Sequence, residues 1–521
     1  MFTKKILTTA VSLLLICVMI FSLSACGKEK PAHEIYKDNI DEFVKDAKSR
    51  LSDVTDSSTN SIAMQGELTL AVELGDILLD MLEDETDMDL SWINDVELSS
   101  KFKFSNMISY VKATIAHSNK TLFSPEMYAD MENGEMLLSF GEYSDGYFSV
   151  PVEDGFSESY IGAVTSGTPA NLMGNLFTDE FFDLVGKYLY MVADLYKDVE
   201  GYEETLEANG VSEECTAYEL KLYEDDIIEF AEKVINTVIE DEDFKSVYID
   251  LAKMMGEMDA EEARDNYHDF IEELESIRDS IDDMSLDLGS GAVFAHTTYV
   301  KDDEIIGSEI KVNTGSEKIV ASFAKATDKK KTGVELSVGT KGQFGMDYLD
   351  VSGEYTESKN KMNGSFKVSV LGNEVLSVTV TDVDTKKLED NYLKGTITLE
   401  AGDDLETMLS SFGIYGEFSD IVKIIEDYKI KITSDMSENK ADINVSVLEG
   451  SKLFCSVHYT LSTDDDKVKI DYPNSNITDD AYEWVSEENW NDLIDTVEDS
   501  ELPNDIKEII VETIEEILST Y

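Results

Sequence analysis

From residue 292 to residue 472 the chain alternates apolar and polar residues with a period of two, in one short segment after another. Val334, Leu336 and Val338 alternate with polar partners. Phe366, Val368 and Val370 alternate with Lys367 and Ser369, Ile397 and Leu399 flank Thr398, and Tyr428, Ile430 and Ile432 are separated by lysines. Val468, Ile470 and Tyr472 complete the set. A period of two sends successive side chains to opposite faces of a strand, so these segments predict roughly ten half-buried strands in a meander. One apolar and one wet face per strand favours antiparallel pairing, because strands of a doubly wound parallel sheet are apolar throughout. The apolar face must then be covered, by helices or by the sheet's own curl. On this reading Phe366, Val368 and Val370 lie under helices, and Lys367 and Ser369 lie in solvent.

The rest of the sequence supplies the cover. Residues 62–160 read mostly as strands: Leu68, Leu70, Val72 and Leu74 alternate with Glu67, Thr69, Ala71 and Glu73, and Asn133-Gly134 and Asp145-Gly146 are hairpin-turn signals. An acidic apolar segment at 76–90 reads as a helix. Residues 171–284 turn helical: Thr178 can cap a helix carrying Phe181, Phe182, Val185, Tyr188, Leu189, Val192 and Leu195, and Ile227, Phe230, Val234 and Val238 keep the i, i+3, i+4 rhythm. A strand-like piece at 215–223 intervenes. The tail, 479–520, is helical, with Pro503 as punctuation and Ile506, Ile509, Ile510, Ile514 and Ile517 as a stripe. The expected fold class is α+β: curved antiparallel sheets in a half-barrel-like meander, with helices on the apolar face. Strands-then-helices occurs twice, which allows two such units, 61–285 and 286–521. Residues 26–60 are expected to be a tether with one short helix.

The first residues carry a different signal. Lys4 and Lys5 precede an apolar run from Ile6 to Leu23, and small residues lead to Cys26. The tetrapeptide Leu23-Ser24-Ala25-Cys26 resembles the lipobox of bacterial lipoproteins. That resemblance implies removal of residues 1–25 as a signal peptide, a diacylglyceryl group on the Cys26 thiol, and a mature protein tethered to a membrane on the extracytoplasmic side. Two acyl chains anchor firmly where one does not, at roughly 0.8 kcal/mol per buried CH₂. No later stretch offers the ~18 apolar residues a spanning helix needs.

Charge narrows the partners. The 110 acidic and 42 basic residues give a net charge of −68, and loss of Lys4 and Lys5 makes the mature chain −70. A phosphate backbone would be repelled, which argues against nucleic acid as a partner. With 42% hydrophobic residues the chain can still build cores, so the charge reads as a solvated surface. Arginine occurs only as Arg50, Arg264 and Arg278, a lysine bias that points to an AT-rich, Gram-positive source. Cys17 leaves with the signal and Cys26 is lipidated. Cys215 and Cys455 remain, and can either form one disulfide, which the compartment permits, or pack as two separate thiols.

No catalytic constellation stands out. His33, His117, His268, His296 and His458 include no i, i+4 pair, and each reads as a neutral surface or core histidine. Ser322-Phe-Ala-Lys325 and Lys331-Thr332-Gly333 mimic penicillin-binding motifs but fall on one expected hairpin. The acidic clusters at 83–89, 240–243 and 464–466 lack the glycine and terminal glutamate of a calcium loop. No cofactor or metal is expected. The order of elements resembles the half-barrel of LolA and LppX lipoprotein carriers, which implies an acyl chain or other amphipathic ligand held between sheet and helices. The competing expectation is a cell-surface enzyme such as a carboxylate-dependent hydrolase. A solute-binding protein is disfavoured, since those show a βαβ rhythm.

Overall fold

The computed structural model describes residues 31–59, 64–86, 88–104, 108–130, 135–144, 146–151, 178–256, 259–281, 291–302, 304–313, 318–341, 345–402, 405, 427–463, 472–473, 477–478, 487–500 and 502–520. Cys26 and the whole signal segment lie outside the described residues, as do Asn133, Gly134, Asp145 and the expected strand at Val468 and Ile470.

The chain opens with helix α1 (Ala32–Thr59). Strands β1 (Met64–Leu74), β2 (Val96–Phe104), β3 (Ile108–His117), β4 (Lys120–Phe123), β5 (Glu126–Asp130), β6 (Glu135–Ser139) and β7 (Tyr147–Pro151) follow, with α2 (Asp76–Thr86) after β1. Next come α3 (Asp179–Ala193), the hairpin β8 (Gly201–Ala208) and β9 (Val211–Leu222), and helices α4 (Glu224–Glu240), α5 (Glu242–Gly256) and α6 (Ala260–Ile281). The second half holds β10 (Phe294–Lys301), β11 (Glu304–Asn313), β12 (Lys318–Asp328), β13 (Lys331–Lys341), β14 (Asp347–Ser358), β15 (Lys361–Val370) and β16 (Asn373–Asp384). After α7 (Thr385–Glu389) come β17 (Lys394–Ala401), β18 (Tyr428–Ser437), β19 (Lys440–Glu449), β20 (Lys452–Ser462) and the short β21 (Ile477–Thr478). Helices α8 (Glu487–Glu498) and α9 (Asn504–Thr520) close the chain. The protein is α+β; its strands form a curved antiparallel sheet, with a parallel pairing of β21 with β7.

Two compact units are present, and neither is contiguous. One takes the chain up to Thr55, Pro169–Glu357 and Gly364–Leu376; the other takes Asp56–Thr168, Ser358–Asn363 and Ser377–Tyr521. The contiguous division at 285 is therefore replaced. Two ladders explain it: Leu222 of β9 faces Phe294 of β10 inside the first unit, and Val72 of β1 faces Val457 of β20 inside the second.

In the first unit helices cover one face of β9–β10–β11. Leu222, Phe294 and Val312 line up across the three strands, as do Leu220, His296 and Ile310. Ala32, Ile35, Tyr36 and Ile40 of α1, Leu189 and Val192 of α3, and Ile227 of α4 pack on that row in one buried cluster. The segment expected to be a tether is thus a core helix: its apolar positions recur at helical spacing because they face the sheet. Thr178 caps α3 as expected, its hydroxyl accepting from the Phe181 amide at 3.2 Å. On the opposite face Leu206, Ala208, Val211, Cys215, Ile306, Ala324 and Ala326 form a second cluster, made by the curl that brings β8 over β12 and β13. The approach is close: a Cβ on Gly333 would stand 2.0 Å from the Ala208 carbonyl oxygen. Phe366, Val368 and Val370 are half-buried, and Lys367 is exposed and paired with Glu374 at 2.7 Å.

Candidate binding surface

In the second unit the ladder runs β17–β18–β19–β20–β1–β2–β3. Because facing residues of antiparallel strands share a side, the register assembles one aliphatic face. Ile397, Ile432, Val445, Val457 and Val72 form one row across five strands. Leu399, Ile430 and Val447 form a second, and Leu70, Leu98 and Ile115 continue the face across β1, β2 and β3. None of these eleven side chains is buried. Leu98 is 42% exposed, Ile430 42%, Val457 39% and Val445 37%. The core cluster of the first unit, with buried residues at 0–7%, is the contrast. The reverse side carries Glu67 near Lys101, Glu400 with Lys429 at 3.0 Å, Asp435 with Lys394 at 2.9 Å, and Asp442 with His458 at 3.0 Å. Such solvent-facing pairs contribute little stability but keep that side wet.

At the β3–β5 end the same unit holds a tyrosine cluster. Tyr110 and Tyr128 have ring centroids 4.8 Å apart, and Tyr147 and Tyr472 meet the Tyr128 ring edge-on. Tyr147 donates to Glu126 at 3.4 Å and Tyr472 to Glu135 at 3.2 Å. Burial, reinforced by Glu126 and Glu135, pushes the Tyr110 and Tyr472 hydroxyls up to about 12, so these groups are hydrogen-bond donors and not bases.

The first unit has a buried polar chain. His296 is 1% exposed; Nδ1 takes a hydrogen bond with the Tyr196 hydroxyl, and Nε2 lies 2.8 Å from Ser308 Oγ. Tyr36 bonds to Thr298 beside it. Burial pushes the imidazole down to about 3, so it is neutral. The Ser–His–Tyr order invites comparison with a catalytic relay, but the group is sealed in the helix–sheet core and no substrate reaches it.

A cleft of about 740 Å³ between α3 and α5 is lined by Glu180, Asp183, Asp243 and Asp250, with Phe181 and Leu251 among its apolar walls. Lys187 on its wall donates to Asp241 at 2.7 Å. Burial works against the charged Asp241, but Lys187, Tyr188 and the Phe244 amide outweigh it and hold the carboxyl below its ordinary value. Asp241 is thereby engaged as the cap of α5, its second oxygen accepting from the Asp243 amide at 3.1 Å.

Other sequence candidates are dispersed. Cys215 and Cys455 are both free thiols, so of the two alternatives the disulfide is not formed. The physical reason is placement: Cys215 turns its sulfur toward the Glu204 carbonyl in the β8–β9 hairpin, while Cys455 faces Leu74 and Val447 in the other unit's ladder. Burial raises both thiols above their ordinary range. Ser322 and Lys325 do fall on the β12–β13 hairpin with Gly333, and an offset of three sends them to opposite faces; Ser322 meets Ser337 at 2.8 Å and Lys325 meets Glu304 at 3.1 Å.

No family model, curated protein or solved structure matches this chain. The half-barrel resemblance accordingly stays one of element order.

What sequence reasoning missed is the asymmetry between the apolar faces of the two units. Both alternate in the same way, and only the tertiary arrangement determines that one apolar face is covered by α1, α3 and α4 while the other stays half-open.

Proposed function

We propose that the protein is a lipid-anchored extracytoplasmic binding protein. It is held to the membrane through Cys26, and it takes an acyl chain or similar amphipathic ligand on the aliphatic sheet face of the second unit. The observation that carries the reading is the set Leu98, Ile430, Val445 and Val457, on one side of the ladder and each more than a third exposed, with Val445 facing Val457. A contiguous exposed apolar area on a water-facing protein marks an interaction site. Its composition favours lipid over protein: the rows are branched aliphatics, without the tryptophan and arginine anchors that dominate protein–protein hot spots. Anchoring through two acyl chains would keep such a face beside its ligand source. Among the described residues no helix is long and apolar enough to cross a membrane.

Native mass spectrometry of the protein isolated from its host should reveal a bound lipid. In parallel, the neutral probe N-phenyl-1-naphthylamine should be taken up by the wild type and rejected by a Val445→Asp/Val457→Asp double variant that still folds. Uptake unchanged by that pair would refute the assignment to this face.

A further inference from the structure

The aliphatic face ends, on β3, at a charged pocket. Ile115 faces Leu98, and two residues further on the same side His117 faces Val96. Two residues of strand amount to about 6–7 Å. His117 lines a pocket of about 660 Å³ whose other wall is one side of α8, with Asp492 and Asp495, and the turn just after it, with Asp499 and Ser500. Lys120, Thr121 and Tyr143 complete the surround that matters here. The hairpin that carries His117 and Lys120 is pinned by a tight turn, Ser118 and Asn119 both having positive φ, and by the Ser118 amide on the Asp95 carbonyl at 3.0 Å. His117 is 3% exposed, and its Nε2 has no hydrogen-bond partner. A buried polar atom left unsatisfied costs about 1–3 kcal/mol, and such an atom on a pocket wall is where a ligand donor belongs.

We propose that the ligand of this face is an amphiphile with a primary-ammonium headgroup: the hydrocarbon lies along the aliphatic rows, and the ammonium is seated between His117 and the Asp492, Asp495 and Asp499 carboxylates. The inference rests on the acyl-face reading and adds the headgroup. The unpartnered Nε2 of His117 accepts one N–H of the ammonium and the carboxylates take the others, which an anionic head cannot do. A metal ion fits less well. Helix geometry spreads the three aspartates along about 10 Å of axis, and no group of three such ligands among the described residues converges on a point. Lys120 opposes the cation but stands against three carboxylates.

The test uses full-length protein in amphipol, titrated calorimetrically with octylamine and with sodium octanoate. Octylammonium should bind about tenfold tighter, the scale of one charge-assisted contact. Asp495→Asn/Asp499→Asn should erase most of that preference by weakening the amine alone. His117→Leu should also weaken the amine without lowering the melting temperature, since it replaces an unsatisfied polar atom by an apolar one. Asp269→Asn/Glu273→Gln, which removes two exposed charges from α6, should leave the preference intact. Equal binding of amine and octanoate, or an equal loss in the α6 control, overturns the headgroup assignment while leaving the acyl face standing. If neither compound binds, the acyl face itself fails. Should His117→Leu not fold, the aspartate pair still decides.

Discussion

Val445 faces Val457 across β19 and β20, and neither side chain is shut away from solvent. An aspartate at Val445 can therefore keep its water. Val445→Asp should cost about 1 kcal/mol or less, as surface changes do, whereas Ile310→Asp in the helix-covered core should cost about 3 kcal/mol or more. Urea melts of the two variants compare them directly. Equal damage would mean that the second face is a closed core.

His296 gives the first unit a pH dependence with a definite sign. Unfolded, the imidazole takes a proton as pH falls below its ordinary 6.5; folded, burial keeps it neutral down to about 3. The unfolded state thus binds more protons in that window, so stability is complete above pH 6.5 and drains away toward pH 3. The loss should reach about 2 kcal/mol by pH 5. Chemical denaturation of wild type between pH 7 and 5 should show this slope, and His296→Gln should flatten it. A slope identical in both would assign it to other groups.

The close approach at Gly333 separates two kinds of glycine. An added Cβ would collide with the Ala208 carbonyl, so Gly333→Ala should cost about 2–3 kcal/mol through forced displacement of β8 from β13. Gly210, at φ +74 with nothing within 4 Å of its would-be Cβ, is constrained by its dihedral alone, and Gly210→Ala should cost only about 1 kcal/mol. Differential scanning calorimetry ranks them; the reverse order would show that the hairpin packing is slack.

Under the proposed anchoring, membrane attachment depends on one atom. With Cys26→Ala the sulfur that receives the diacylglyceryl group is gone, and metabolic labelling with a clickable palmitate analogue should fall to background. Labelling that persists in the variant would place the anchor elsewhere.

The strands from β10 to β20 were legible because a period of two is a local signal, and Thr178 was legible because a cap is too. The division into units was not, since nothing near Val72 names Val457 as its partner, or near Leu222 names Phe294. Strand β8 escaped notice for a compositional reason: Gly-Tyr-Glu-Glu-Thr-Leu-Glu-Ala buries only Leu206 and Ala208 and reads as solvated chain. Helix α1 was seen as a helix but not as part of the core, because its apolar stripe is interrupted by exposed acids such as Asp41 and Glu42. His117 and the α8 aspartates gave no joint signal, being brought together only by the folded chain.

Because α1 enters the core at Ala32, only a handful of residues separate Cys26 from the packed core of the first unit. Six residues of fully extended chain reach about 20 Å. On the proposed anchoring through Cys26, the first unit is held within that distance of the headgroups, moored against them and not floating on a long line. A ligand taken from the bilayer under that proposal is taken at the surface where the protein is berthed.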